Sequence, residues 1–189
     1  MKICMTLLTD TIFGNGESIP GAEDIAVLTD EEGFPYYKGT TFKGVFREEL
    51  IRYFEFTGCD EIEIREKVSE LLGNSGDNDE ADGKLTFSDL VISDGVKKPI
   101  IKELGNKSMY VTDVFTNVRI FTQINDKGVV ERGSLRTARC VNKGVSFYGE
   151  IECLDNQKEM ICDVLGLIKG IGTMRNRGFG SVSITEEEQ

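Results

Sequence analysis

Near the end of this 189-residue sequence, five glycines fall within fifteen residues: Gly166, Gly170, Gly172, Gly178 and Gly180. Arg175 and Arg177 stand between them. Glycine lets a backbone approach a phosphate or sugar closely, and arginine brings charge and a planar fork of donors to the same place. A helix end followed by a turn accounts for one or two of these glycines, not for five interleaved with arginines. The run therefore predicts a ligand loop. A second candidate chemistry is that of carboxylates. Asp24 and Asp30 lie six apart around a short apolar run, with Glu17 and Glu23 close by. One positioned carboxylate can hold a magnesium or other divalent ion, or accept a proton; the alternative is that all four are solvated loop acids.

The sequence contains no histidine. Serine or cysteine hydrolase triads built on histidine are thereby excluded, and the commonest general base is missing. Cys4, Cys59, Cys140, Cys153 and Cys162 are widely spaced, with no CxxC pair. A zinc site would need four of these thiolates from distant segments, so they read as small buried thiols in a reducing cytoplasm.

A net charge of −11 argues against nucleic acid until its distribution is seen. Residues 59–82 hold nine acids against two bases, whereas 115–145 hold six bases (Arg119, Lys127, Arg132, Arg136, Arg139 and Lys143) against two acids. Residues 165–184 carry Lys169, Arg175 and Arg177 with no acid. A phosphate backbone responds to the field within a Debye length of about 8 Å, so the chain can be acidic overall and still present basic faces. No apolar run approaches the ~20 residues that cross a bilayer, and Met1–Asp10 does not resemble a signal peptide.

The elements that must position these groups read as one α+β domain over residues 1–189, with 39% hydrophobic and 29% charged residues. Lys2–Thr9 predicts a buried strand. Phe42, Val45, Phe46, Leu50, Tyr53 and Phe54 have helical spacing, with Thr40 or Thr41 available as a cap. Lys43 and Arg47, four apart, share the opposite side from most of that stripe. Residues 84–92 predict a strand after a polar acidic loop at 73–83, while 94–112 resist assignment. Asn125–Gly128 predicts a hairpin turn between 118–124 and 129–132. Residues 145–152 alternate as a strand, and Asn156 with Glu159 predicts a capped helix through Ile168. Phe179–Ile184 closes the chain as a strand. The order is βαββαβ, the ferredoxin-like (RRM-like) plan of RNA-recognition domains, with a basic β-hairpin inserted at 113–143 and a C-terminal Gly-rich loop. Arg177–Val182 overlaps the signature strand of those domains. It carries Ser181 and Ile184 where aromatics are wanted, and it lies on the last strand rather than the third.

Three segments in register resemble the RAMP (repeat-associated mysterious protein) superfamily. Gly172–Val182 is similar to the family's C-terminal glycine-rich loop. Pro35-Tyr36-Tyr37-Lys38-Gly39-Thr40-Thr41-Phe42-Lys43-Gly44-Val45-Phe46-Arg47 resembles its helix entrance, and Leu85–Leu90 (LTFSDL) resembles its short strand with phenylalanine and aspartate. The chain looks most like the repeated backbone subunit of type III CRISPR effector complexes, with 113–143 placed like that family's thumb. The resemblance implies a subunit that binds guide RNA, stacks with other copies of itself and other effector subunits, and kinks the duplex with complementary target RNA. It implies guide contacts at Lys38, Lys43, Arg47, Arg175, Arg177, Gly178 and Gly180, and thumb contacts at Arg119, Arg132, Arg136 and Arg139. It also implies catalysis and metal binding at Asp24, with Glu17, Glu23 and Asp30 as rivals. There the target's own 2′-hydroxyl is the nucleophile in a magnesium-dependent endoribonuclease. Two other readings stand beside it: a non-catalytic RAMP subunit, and a small-molecule-binding ferredoxin-like enzyme.

Overall fold

Ile3, Met5 and Leu7 are buried while the residues between them are not, the period-two pattern of a strand with one face on a core. In a computed structural model, which describes residues 1–14, 24–73, 83–104, 108–122, 125–129, 131 and 133–187, this segment is β1 (Lys2–Leu7), a central strand. It pairs antiparallel with β5 (Ser146–Glu152) on one side and β6 (Val182–Glu186) on the other. The two-residue β2 (Thr86–Phe87) adds to the far edge of β5, giving the order β2-β5-β1-β6. Mixed α+β structure with antiparallel sheets is what the sequence predicts.

Two helices complete the core. α1 (Gly39–Phe56) buries Phe42, Phe46, Leu50 and Phe54 along one stripe. α5 (Lys158–Leu167) buries Ile161, Val164 and Leu165. Both stripes join Phe147, Ile151 and Val182 of the sheet in one cluster. Each such side chain contributes about 1.5–3 kcal/mol when removed from water.

Several local expectations are corrected. Neither Thr40 nor Thr41 caps α1. Lys38 is the N-cap and offers no side-chain bond, and the Gly39 N–H is instead satisfied by Asp89 Oδ1 at 2.7 Å. Asn156 does not cap α5, because Asp155–Gln157 form a short 3-10 turn ahead of it. The last strand starts at Val182 rather than Phe179. The acidic segment holds α2 (Glu61–Leu72), opened by a capping box between Asp60 and Glu63. Residues 94–112, unassigned from sequence, contain α3 (Asp94–Leu104) and the start of α4 (Ser108–Phe115).

The basic segment forms a hairpin of β3 (Thr116–Phe121) and β4 (Arg136–Val141), a two-stranded sheet of its own. The turn falls where predicted: the Gly128 N–H donates to the Asn125 carbonyl at 2.9 Å. The returning strand, however, is 136–141 and not 129–132. A second turn lies ahead of it, in which the Ser134 N–H donates to Glu131 O at 3.3 Å; residues 130 and 132 lie outside the described residues. Under the hairpin, Ile12, Ala138 and Cys140 form a small second core, joined by Ile25, Phe121, Met174 and Phe179.

All five cysteines are free, as thiols. Cys140 alone is fully buried, and burial pushes its thiol up to about 11; Cys162 is exposed. No described helix is long and apolar enough to cross a membrane.

Candidate nucleic-acid interface

The glycine-rich segment leaves α5 and runs back along the far end of β1. The Ile171 N–H donates to Gly180 O, and the Thr173 N–H to Ile12 O, both at 2.9 Å. These approaches explain two of the glycines. Gly172 and Gly180 have φ of 72° and 79°, and a Cβ on either would collide with a backbone oxygen, that of Ile12 or Ile171. Gly178 differs: its φ is 86°, yet a Cβ there would meet open space. Between them, Arg175–Arg177 form a 3-10 turn that starts from Met174 in the left-handed region at φ 58°, a conformation rare outside glycine. Met174 itself packs into the second core, while the arginines that follow it are exposed.

Arg177, Gly178 and Phe179 form one wall of an open groove of about 670 Å³. The opposite wall is the base of the hairpin, with Asn117, Arg119, Asn142 and Lys143, and the residues just past β1 (Leu8, Thr9, Asp10) make the floor. The walls meet where the Phe121 and Phe179 rings pack edge to face, their centroids 5.7 Å apart. Asp10 ties the floor together. Its Oδ2 accepts from Arg119 Nη2 at 2.6 Å and from Asn117 Nδ2 at 3.3 Å, and its Oδ1 accepts from the Lys143 N–H at 3.0 Å. Burial pushes the Asp10 carboxyl upward, but these donors, Arg119 foremost, outweigh it and hold the carboxyl below its ordinary value.

The predicted cations are placed unevenly. Arg175 and Arg177 are exposed on the glycine-rich turn. The Arg175 side chain lies over Gly170, and its charge reaches Tyr37 at the helix entrance. Burial nevertheless pushes the Tyr37 hydroxyl up to about 12, with Arg175 opposing. Lys38 is exposed at the start of α1, beside Tyr36, Tyr37 and Thr41, and Lys43 is half-buried one turn on. Arg47 is directed elsewhere: its Nη2 donates to the Leu72 and Gly73 carbonyls at 3.3 and 3.0 Å, closing the C-terminus of α2. On the hairpin, Arg136 is exposed, while Arg139 Nη1 bonds Asp113 Oδ1 at 2.7 Å and Thr116 Oγ1 at 2.9 Å. Arg132 lies outside the described residues, as do Glu17 and Glu23.

Asp24 runs beside β4, with Ile25 in a parallel bridge to Ala138. Its carboxylate has a structural partner: Oδ2 accepts the Thr137 N–H at 2.7 Å and sits 3.3 Å from the Thr137 hydroxyl. Among the described residues, Oδ1 has no hydrogen bond, and no group of three or more acids or cysteines is placed to hold an ion. A magnesium ion, which often takes one or two carboxylates and fills its shell with water and phosphate oxygens, fits a single oxygen of this kind. Asp30 has both carboxylate oxygens engaged. Its Oδ1 accepts the Glu32 and Phe34 N–H groups, and its Oδ2 accepts Lys97 Nζ at 2.6 Å. Lys97 also sits over the Phe34 ring, 5.1 Å from its centroid.

Sequence reasoning missed Asp10, Asn117, Asn142 and Phe179 as groove residues. Only the proximity of Phe179 to the glycine run could have suggested one of them.

Comparison with known proteins agrees with this architecture. No curated protein matches the chain. Among solved structures, a chain of a "Type III-B Cmr-beta bound to cognate target RNA" superposes with a TM-score of 0.70 at 14% identity, covering 97% of this chain and 95% of that one. A chain of the apo state of Type III-B Cmr-beta gives the same TM-score and coverage at 15% identity. At such identities the likeness is one of fold. The model of the RAMP superfamily matches residues 4–183, nearly the whole sequence, and the chain belongs to that superfamily.

Proposed function

We propose that this protein is a guide-RNA-binding backbone subunit of a type III CRISPR interference complex in the cytoplasm, and that it cleaves complementary target RNA with a divalent cation. The observation that carries the reading is the groove in which Arg177 and Gly178 of the glycine-rich turn meet Arg119 and Lys143 of the hairpin base. An open cationic groove with one exposed glycine suits a sugar-phosphate strand. The strand order β2-β5-β1-β6 with α1 and α5 packed together fits the ferredoxin-like βαββαβ plan, and the hairpin fits the thumb of that family. Superfamily membership and the type III-B likeness support other effector subunits and further copies of this chain as its partners.

For cleavage, Asp24 Oδ1 is the group available to a cation, which when bound supplies charge neutralisation at the scissile phosphate. Thr137 fixes the carboxylate against β4 by its N–H, so the acid and the hairpin move as one unit. A target strand bent by the hairpin would then carry its 2′-hydroxyl past a carboxylate of set orientation. The engagement of Oδ2 by Thr137 also favours a second reading, a non-catalytic subunit in which Asp24 only docks the hairpin.

Purification of the chain with its effector partners tests the first reading. RNA of uniform length is expected to accompany it, and labelled complementary RNA is expected to be cut at regular intervals in magnesium. Absence of RNA overturns the proposal, and bound but uncut target selects the non-catalytic reading.

A further inference from the structure

Arg119 lines the groove with 54% of its side chain exposed, and one of its five guanidinium donors is engaged by Asp10. Asp10 is far more enclosed, its side chain 17% exposed. It is also immobilised from three directions: by Asn117 on β3, by the Lys143 N–H just past β4, and by the Gly180 N–H, which donates to the Asp10 carbonyl at 3.0 Å. A single residue thus touches β3, the chain just past β4 and the glycine-rich segment. A free arginine loses much rotamer freedom when it grips a phosphate. One already hooked to a fixed carboxylate loses less, and its remaining N–H groups stay available.

We propose that Asp10 is a positioning residue of this groove, holding the Arg119 guanidinium in the orientation in which it takes an RNA phosphate. This rests on the RNA-binding reading above. Two effects oppose each other when the carboxylate is neutralised. Local potential becomes more positive, which attracts any phosphate, while Arg119 is released and must be ordered on binding. The ordering effect is set through Arg119 alone, and the charge effect is not.

Binding of a labelled single-stranded RNA of mixed sequence separates them, measured for the wild type, Asp10→Asn, Arg119→Ala and the double variant. Asp10→Asn is expected to weaken binding about threefold in the wild-type background. In the Arg119→Ala background the same change is expected to tighten it, because only the charge effect remains. Weakening in both backgrounds would make Asp10 a structural strut, and tightening in both would make it a diffuse charge; either result overturns the proposal. Arg119→Lys provides a reading that leaves Asp10 untouched. It keeps the charge without the planar fork and is expected to bind within about twofold of Arg119→Ala. Wild-type affinity from the lysine variant would overturn the proposal. A wild type that binds no RNA removes the RNA-binding reading as well, whereas a binding wild type with the wrong signs removes only the role of Asp10.

Discussion

Asp24 and Thr137 are bonded reciprocally: the Thr137 N–H donates to Asp24 Oδ2 at 2.7 Å, and the Asp24 N–H returns to the Thr137 carbonyl at 3.0 Å. The loop that carries the candidate catalytic acid is therefore an extra edge of the hairpin. An alanine at position 24 would disturb hairpin docking together with any chemistry.

Asp24→Asn separates the two, since its amide oxygen still accepts the Thr137 N–H. Guide and target binding are expected to stay within about twofold of wild type, while magnesium-dependent cutting falls at least about a hundredfold. Gel analysis of labelled target in the assembled complex measures both. Cutting at the wild-type rate would remove the Asp24 charge from the mechanism.

Arg175→Ala with Arg177→Ala is expected to weaken binding to all RNA sequences alike. The slope of log affinity against log salt should flatten by about 0.7 for each phosphate of a single strand that the arginines no longer neutralise. Fluorescence titrations over a salt series check this, and weakening confined to one sequence would contradict it.

Arg47 has its donors on the Leu72 and Gly73 carbonyls. Arg47→Ala is expected to lower folding stability by about 1–2 kcal/mol through the opened end of α2, with RNA affinity changed less than about twofold. Urea denaturation and RNA titration on the same sample give the two numbers.

The three left-handed glycines of the C-terminal segment should rank by surroundings. Each substitution to alanine carries roughly 1–2 kcal/mol of backbone strain. Gly172→Ala and Gly180→Ala must also displace the Ile12 or Ile171 backbone, whereas Gly178→Ala meets open space. Urea midpoints should therefore fall least for Gly178→Ala, the same variant expected to impair RNA binding.

Tyr37 gives a pH dependence of known sign. Its hydroxyl is raised from 10.0 to about 12 by burial, so the folded state holds the proton more tightly than the unfolded state does. The associated stability is fully present below pH ~10 and is lost as pH rises toward ~12. Tyr37→Phe is expected to show a shallower alkaline decline in denaturation midpoint. Identical decline in both proteins would show that the hydroxyl is not held in this way.

The parts of this structure that were legible in sequence are those written in short-range periodicity. The Phe42–Phe54 stripe marked α1, the alternation of 145–152 marked β5, and Asn125–Gly128 marked the hairpin turn. α2 had its signal too, in Asp60 and Glu63 ahead of Ile64, Val68, Leu71 and Leu72, but in the sequence the segment stands out for its acids rather than for that spacing. α3 contains Pro99, and its apolar positions Ile100, Ile101 and Leu104 are only partly buried against the core, so a short stripe is masked by a helix breaker. The site was legible in composition and hidden in partners. Arg119 reaches Asp10 across 109 residues and Thr137 reaches Asp24 across 113, distances over which no spacing rule operates. Arg47 had the right helical face for an exposed cation, and only the packing of α2 on α1 shows that another element occupies that face.

The hairpin is held along its paired strands from both edges, by Asp10 at Asn117 and Arg119 of β3 and by Asp24 at Thr137 of β4, the partner of Ile120. Mechanically it is a ribbon pinned along its edges. Strands of six residues at about 3.3 Å each make a ribbon of roughly 20 Å, pinned within its own length rather than at one end. Loosening either carboxylate therefore frees one edge of the ribbon to pivot about the other, which places control of its tilt in Asp10 and Asp24.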